Sequence, residues 1–118
     1  MKKLLSILSI CLVFISCSPD RVLFDDLTRG TKESTTLYFE GELFTGVSFD
    51  VYEDGQLEWE ANYKDGELDG LYRSWYENGQ LDFEYNYKDG KEDGLCKGWY
   101  ENGELSYETN YKDGVEIN

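Results

Sequence analysis

Carboxylates are the commonest reactive groups in this 118-residue chain, which has 25 Asp and Glu, 11 Lys and Arg, no His, and a formal net charge of −14. Glu58 and Glu60, two residues apart, could imitate a glycosidase pair, one acid protonating a leaving oxygen while the other attacks or activates water. The pair recurs as Asp82 with Glu84, and again at Glu108. A catalytic site is normally singular, so a feature repeated at every period speaks for architecture, and the chain is not expected to be an enzyme. Asp65, Asp69, Asp89 and Asp93 cluster in D-G-x-x-D-G segments that could offer oxygens to calcium. The EF-hand spacing and its closing Glu are missing, and turn chemistry explains the Asp and Gly. No metal and no cofactor are therefore expected. Without His, a Ser-His-Asp, Cys-His or zinc–His site is impossible. The acidic balance argues against nucleic acid and against electrostatic docking on anionic lipid.

The three cysteines are Cys11, Cys17 and Cys96. Met1-Lys2-Lys3 is a short basic start, and Leu4 to Ile15 is an apolar run of about a dozen residues. As a helix that run spans ~18 Å against a hydrocarbon core of ~30 Å, the proportion of a secretory segment rather than a transmembrane one. It ends in Phe14-Ile15-Ser16-Cys17, which resembles a bacterial lipoprotein signal with a small residue before the Cys that takes the lipid. Phe14 stands where Leu is usual. The resemblance implies a signal peptide at 1–16, thioether lipid and palmitate on Cys17, and membrane attachment through that lipid. Ser18 after the Cys resembles lipoproteins destined for the outer membrane of the cell envelope. Cleavage would remove Lys2 and Lys3 and no acid, leaving −16. Cys96 would be the remaining thiol, a small sheet residue with no disulfide partner. Residues 17–37 show no sustained period and read as a tether, with one short strand around Val22-Leu23-Phe24.

The elements that must position these residues come from an internal repeat. Copies at 46–69, 70–93 and 94–117 align without a gap at a period of 24. Half a degenerate copy, Tyr38 to Leu43, precedes them, so the repeat domain is expected over 38–118. Each copy holds two turn signals. One series is Asp54-Gly55, Asn78-Gly79 and Asn102-Gly103, and the other is Asp65-Gly66, Asp89-Gly90 and Asp113-Gly114. Both are read as type I′ turns, which tolerate positive φ at both central residues. Between them lie strand-length segments rich in Tyr, Trp, Phe and Leu. The fold expected is all-β: a single-layer antiparallel hairpin meander with two strands per repeat.

Two-residue turns set a register. About Asn78-Gly79 they oppose Tyr76 to Leu81, Ser74 to Phe83 and Tyr72 to Tyr85. About Asp89-Gly90 they oppose Phe83 to Cys96. One face then collects Tyr52, Leu57, Trp59, Tyr63, Tyr72, Tyr76, Leu81, Phe83, Tyr85, Tyr87, Tyr100, Leu105, Tyr107 and Tyr111. The other mixes Val51, Trp75 and Trp99 with charge, where Arg73 pairs with Glu84 and Glu58, and Lys97 with Asp82 and Glu108. A single sheet cannot bury both faces by itself. The aromatic face is therefore packed on itself, covered by residues 20–45, or offered to a partner. Candidate partner-binding residues are Trp59, Tyr72, Tyr76, Phe83, Tyr85, Tyr87, Tyr100 and Tyr107. Such rings edged by acids also suit sugar stacking, so a glycan-binding module stands as an alternative.

The pattern G-x-x-x-x-W-Y-x-N-G-x-L-x-x-E-x-x-Y-x-x-G resembles the bacterial MORN-variant repeat family. Gly70, Trp75, Tyr76, Asn78, Gly79, Leu81, Glu84, Tyr87 and Gly90 carry it in one copy. Gly94, Trp99, Tyr100, Asn102, Gly103, Leu105, Glu108, Tyr111 and Gly114 carry it in the next. Copy 46–69 departs at Val51 and Asp54. The resemblance implies a protein-protein interaction scaffold with an unidentified protein partner, or an antitoxin-like inhibitor.

Overall fold

The computed structural model describes residues 20–29 and 35–117. Residues 1–16, read from the sequence as a signal peptide, and Cys17, with the lipidation expected there, lie outside the described residues. The strands are β1 (Arg21–Leu23), β2 (Thr28–Arg29), β3 (Leu37–Phe39), β4 (Glu42–Leu43), β5 (Gly46–Val51), β6 (Leu57–Lys64), β7 (Glu67–Trp75), β8 (Leu81–Lys88), β9 (Lys91–Glu92), β10 (Gly94–Trp99), β11 (Leu105–Lys112) and β12 (Val115–Ile117). The main sheet runs β1-β5-β6-β7-β8-β10-β11-β12, with β9 also paired to β8. The three copies supply the antiparallel pairs β5/β6, β7/β8 and β10/β11, two strands per repeat as the periodicity predicts. β1 joins β5 in parallel, and β2-β3-β4 form a separate small sheet, so the architecture is more mixed than a plain meander.

The two turn series differ. Asp65, Asp89 and Asp113 have φ near +49°, each followed by a Gly at +81° to +83°, the positive pair of a type I′ turn. These turns stack one repeat on the next: the amides of Gly66, Gly90 and Gly114 donate to the carbonyls of Phe44, Leu68 and Glu92 at 2.7–2.8 Å. The other series is not type I′, contrary to expectation. Gly79 N–H donates to the Tyr76 carbonyl and Tyr76 N–H to that of Gln80, and within the turn only Gly79 has positive φ, +90°. This is a type I turn closed by a left-handed Gly, a three-residue loop. Asn78 Oδ1 accepts the Gln80 amide at 2.9 Å, as Asp54 does for Gln56 and Asn102 for Glu104. That side-chain bond favours the tighter type I geometry at Asn78 itself.

Register follows these turns. The longer loop pairs Trp75 with Leu81 rather than Tyr76 with Leu81, and a bulge after Ser74 restores Ser74↔Phe83 and Tyr72↔Tyr85. Leu57, Leu81 and Leu105 accordingly oppose Val51, Trp75 and Trp99, not the face expected for them. A second irregularity lies beyond each type I′ turn. On β6/β7 the pairing moves from Tyr63↔Leu68 to Ala61↔Tyr72. On β8 it moves from Tyr87↔Glu92 with β9 to Glu84↔Lys97 with β10. Phe83 therefore faces Gly98, not Cys96, and Arg73 faces Glu60, not Glu58. Lys97 faces Glu84 rather than Asp82. The displaced chain is held by Asn62 Nδ2, which donates to the Leu71 carbonyl at 2.9 Å, and by Asn86 Nδ2, which donates to that of Leu95 at 2.7 Å. Gly70 and Gly94 take the left-handed φ of +112° and +106° that the bulges need.

A small apolar core sits at one end of the sheet. Val22, Leu37 and Phe44 are buried, with Phe24, Leu27, Phe39 and Tyr63 packed on them. Residues 20–29, in the stretch read as tether, thus contribute a strand and part of a lid. The short strand anticipated there is β1. The half copy is the β3/β4 hairpin, its Glu40-Gly41 turn having φ +51° and +87°.

Candidate interaction surface

Alternation along each strand puts every second side chain on the same face. One face carries a continuous row of rings. Phe24 of the lid meets Trp59 edge-on at 5.4 Å, Trp59 meets Tyr72 at 6.1 Å, and Tyr72 meets Phe83 at 5.1 Å. Phe83 lies 4.9 Å from Tyr85, which lies 6.5 Å from Tyr107. Tyr87 stands beside Tyr72 at 6.2 Å. Edge-to-face pairs in this range stabilise by about 0.5–1.5 kcal/mol each beyond their area. Six of the eight candidate residues, Trp59, Tyr72, Phe83, Tyr85, Tyr87 and Tyr107, are therefore gathered by the structure. The row is partly self-packed, yet none of its members is fully buried, and Tyr107 at its far end is 42 % exposed.

The row is covered only near its start. Between the lid and the sheet lies a cleft of about 360 Å³, lined in part by Phe24, Arg29, Tyr63, Leu68, Tyr87 and Glu92. Burial pushes the Tyr85 hydroxyl strongly upward, helped by its hydrogen bond with the Tyr107 hydroxyl. Burial, then the nearby Glu92, pushes Tyr87 up to about 12. These hydroxyls stay neutral near pH 7, so the face presents uncharged hydrogen-bonding groups among rings in an otherwise acidic protein.

Tyr76 and Tyr100 do not join the row. The Tyr76 hydroxyl donates to the Trp99 carbonyl at 2.7 Å, and Tyr52 makes the same bond to Trp75. They are staples from one repeat to the next. Tyr100 holds the third position of that column and is 57 % exposed. The recurrence of Tyr at the repeat period was the available signal for this role.

The opposite face carries a charge ladder. Register aligns Phe49, Glu60, Arg73, Glu84, Lys97 and Glu108 across six strands. Glu60, only 9 % exposed, accepts from Arg21 Nη1 at 3.0 Å and from Arg73 Nη2 at 2.7 Å. Arg73 Nη1 lies 3.9 Å from Glu84, and Lys97 Nζ lies 3.3 Å from Glu108. The Arg73 guanidinium also covers Trp75 at 5.6 Å. The link from Glu60 to Arg21 escaped sequence reasoning, because Arg21 lies outside the repeats. Cys96 is buried and its thiol is pushed up by burial, as befits a sheet residue. Among the described residues no cluster of metal-binding side chains is present, and no helix is long and apolar enough to cross a membrane.

No curated protein and no solved structure matches the chain. MORN repeats are commonly protein-interaction or membrane-association modules. Residues 46–67, with Val51 and Asp54 in place of Trp and Asn, lie outside the segments matched to that family. Residues 68–89 and 92–113, again 24 residues apart, match the model of the MORN repeat variant.

Proposed function

We propose that the chain is a lipid-anchored protein of a bacterial cell envelope, held at the outer membrane through Cys17, whose repeat sheet acts as a protein-protein interaction scaffold. The observation that carries this reading is the ring row running past its lid, ending at a Tyr107 that is 42 % exposed. Tyr, Trp and Phe in such a strip give a partner large contact area at low entropic cost. Acidic side chains elsewhere keep the array soluble and repel acidic surfaces.

The test compares two variants checked for native circular dichroism. Tyr85→Ser with Tyr107→Ser removes the exposed half of the strip, while Lys97→Glu alters the opposite face. Crosslinked capture from the envelope should fall for the Tyr pair and persist for Lys97→Glu. Undiminished capture by a folded Tyr variant would show that the rings only pack. Attachment is tested separately: Cys17→Ser should move the protein out of the detergent phase, since acyl chains contribute ~0.8 kcal/mol per buried CH₂. An unmodified mature N-terminus in intact-mass spectrometry would refute the anchor.

A further inference from the structure

Val51, Trp75 and Trp99 stand two residues beyond Phe49, Arg73 and Lys97 on their strands, so alternation sets them on the face of the charge ladder. The Arg73 guanidinium, 5.6 Å over the Trp75 ring, marks the same side. Pairing brings Leu57, Leu81 and Leu105 beside them. The six side chains form an apolar row across β5, β6, β7, β8, β10 and β11. Trp75 and Trp99 are half-buried in it, and its ends reach solvent at Val51, 37 % exposed, and Leu105, 51 % exposed. Charge borders the row on both sides. Toward the middle of the sheet lies the ladder, where Glu60, Arg73, Glu84, Lys97 and Glu108 neutralise one another in pairs. Toward the turns, Glu53, Asp54, Glu77, Glu101 and Glu104 are all exposed, and segments 53–56, 77–80 and 101–104 hold no Lys or Arg.

Two dimensions select the occupant. Same-face residues along a strand are ~6.7 Å apart, so a row one residue wide is too narrow for a helix about 10–12 Å across. Along the row, equivalent groups recur every two strands, at ~9.5 Å. A polyproline II segment returns to the same side every three residues, at ~9.3 Å, and keeps step with the copies. A β-strand returns at ~6.7 Å and falls out of step. We infer that this row is a docking groove for a basic, proline-rich partner segment in polyproline II form. Its Pro rings pack at Trp75 and Trp99, as such segments do in aromatic-lined grooves, and one residue in three is a Lys or Arg directed at the carboxylates of Glu77 and Glu101. The acidic rim, which meets no base of its own turns, supplies the charge complementarity. The groove lies opposite the ring row, and its use is independent of the interaction proposed there.

The probe is the peptide PPKPPKPPK, ~28 Å long in that form against a row of ~24 Å. It is titrated into the full chain carrying Trp59→Phe, which leaves Trp75 and Trp99 as the only indoles, and indole emission is followed. A saturable change is expected, and AAKAAKAAK, of equal charge, should bind about fivefold or more weakly. Val51→Ser with Leu105→Ser, both at exposed sites, should weaken binding of the proline peptide about fivefold or more. Glu77→Gln with Glu101→Gln, on exposed turns, should weaken it and lower its salt dependence with the sheet intact. Tyr85→Ser with Tyr107→Ser should leave it unchanged. Equal or tighter binding of AAKAAKAAK would reduce the effect to charge or to a helical partner. A loss in the Tyr pair would move the site to the ring face. Either result, undiminished affinity in the row or the rim variant, or no saturation at millimolar peptide would overturn the inference.

Discussion

Asn86→Ala deletes the Nδ2–H bond to the Leu95 carbonyl, a 2.7 Å contact at a partly buried site. The bond holds the bulge that carries the chain from β9 into β10. Two terms follow. The net hydrogen bond contributes about 0.5–1.5 kcal/mol, and a half-buried carbonyl left without its donor adds part of a desolvation penalty. Together they give about 1–2 kcal/mol. Asn110→Ala removes the same residue type one repeat later, where the side chain is exposed, and should stay within about 0.5 kcal/mol of wild type. Urea denaturation of each variant measures the difference through the midpoint at constant m. In thermal melts, 1 kcal/mol amounts to about 4–8 °C for a domain of this size. Equal losses in the two variants would show that Asn at this position acts through local propensity and not through the inter-strand bond, and the register would then lack its physical cause.

Gly79→Val should destabilise by at least about 1 kcal/mol more than Glu77→Ala, because Gly79 holds φ +90° and a Cβ there would meet Gln56 Oε1 only at an ordinary 3.8 Å, so the cost is chiefly backbone strain; equal melting points would contradict the turn assignment. Arg73→Met should cost about 1–3 kcal/mol by leaving the 9 %-exposed Glu60 to Arg21 alone, whereas Lys97→Met, at a half-exposed pair, should cost less than about 1 kcal/mol; denaturation midpoints decide. Tyr87 is held above the ordinary 10.0, up to about 12, so the unfolded chain releases that proton first. Stability should then fall as pH rises from about 10 towards 12, with no gain or loss from this group below pH 10; Tyr87→Phe should flatten that part of the urea-midpoint profile.

The alternation of apolar and polar residues, the 24-residue period and the paired turn dipeptides were sufficient, without coordinates, to specify an all-β array with two strands per repeat and to set Trp59, Tyr72, Phe83, Tyr85, Tyr87 and Tyr107 on one face. These are local properties: side-chain period is 2 along any strand, and the Gly of every turn dipeptide, from Gly55 to Gly114, takes positive φ. What tertiary structure decided was how far neighbouring strands slide. Asn78-Gly79 and Asp89-Gly90 look alike as dipeptides, yet one closes a three-residue loop and the other a two-residue one, because Asn78 bonds the Gln80 amide whereas Gly90 N–H reaches the Leu68 carbonyl of the preceding repeat. The bulges at Gly70 and Gly94 then move each strand by two residues. A two-residue slip preserves the faces and changes the partners beyond each bulge, so the aromatic strip was legible while the opposition of Phe83 to Gly98 and of Arg73 to Glu60 was not. The lid depended on still more distant contacts: nothing near Arg21 or Phe24 in sequence signals that they meet Glu60 and Trp59. Such contacts exist only once the sheet has formed the surface on which residues 20–29 can pack.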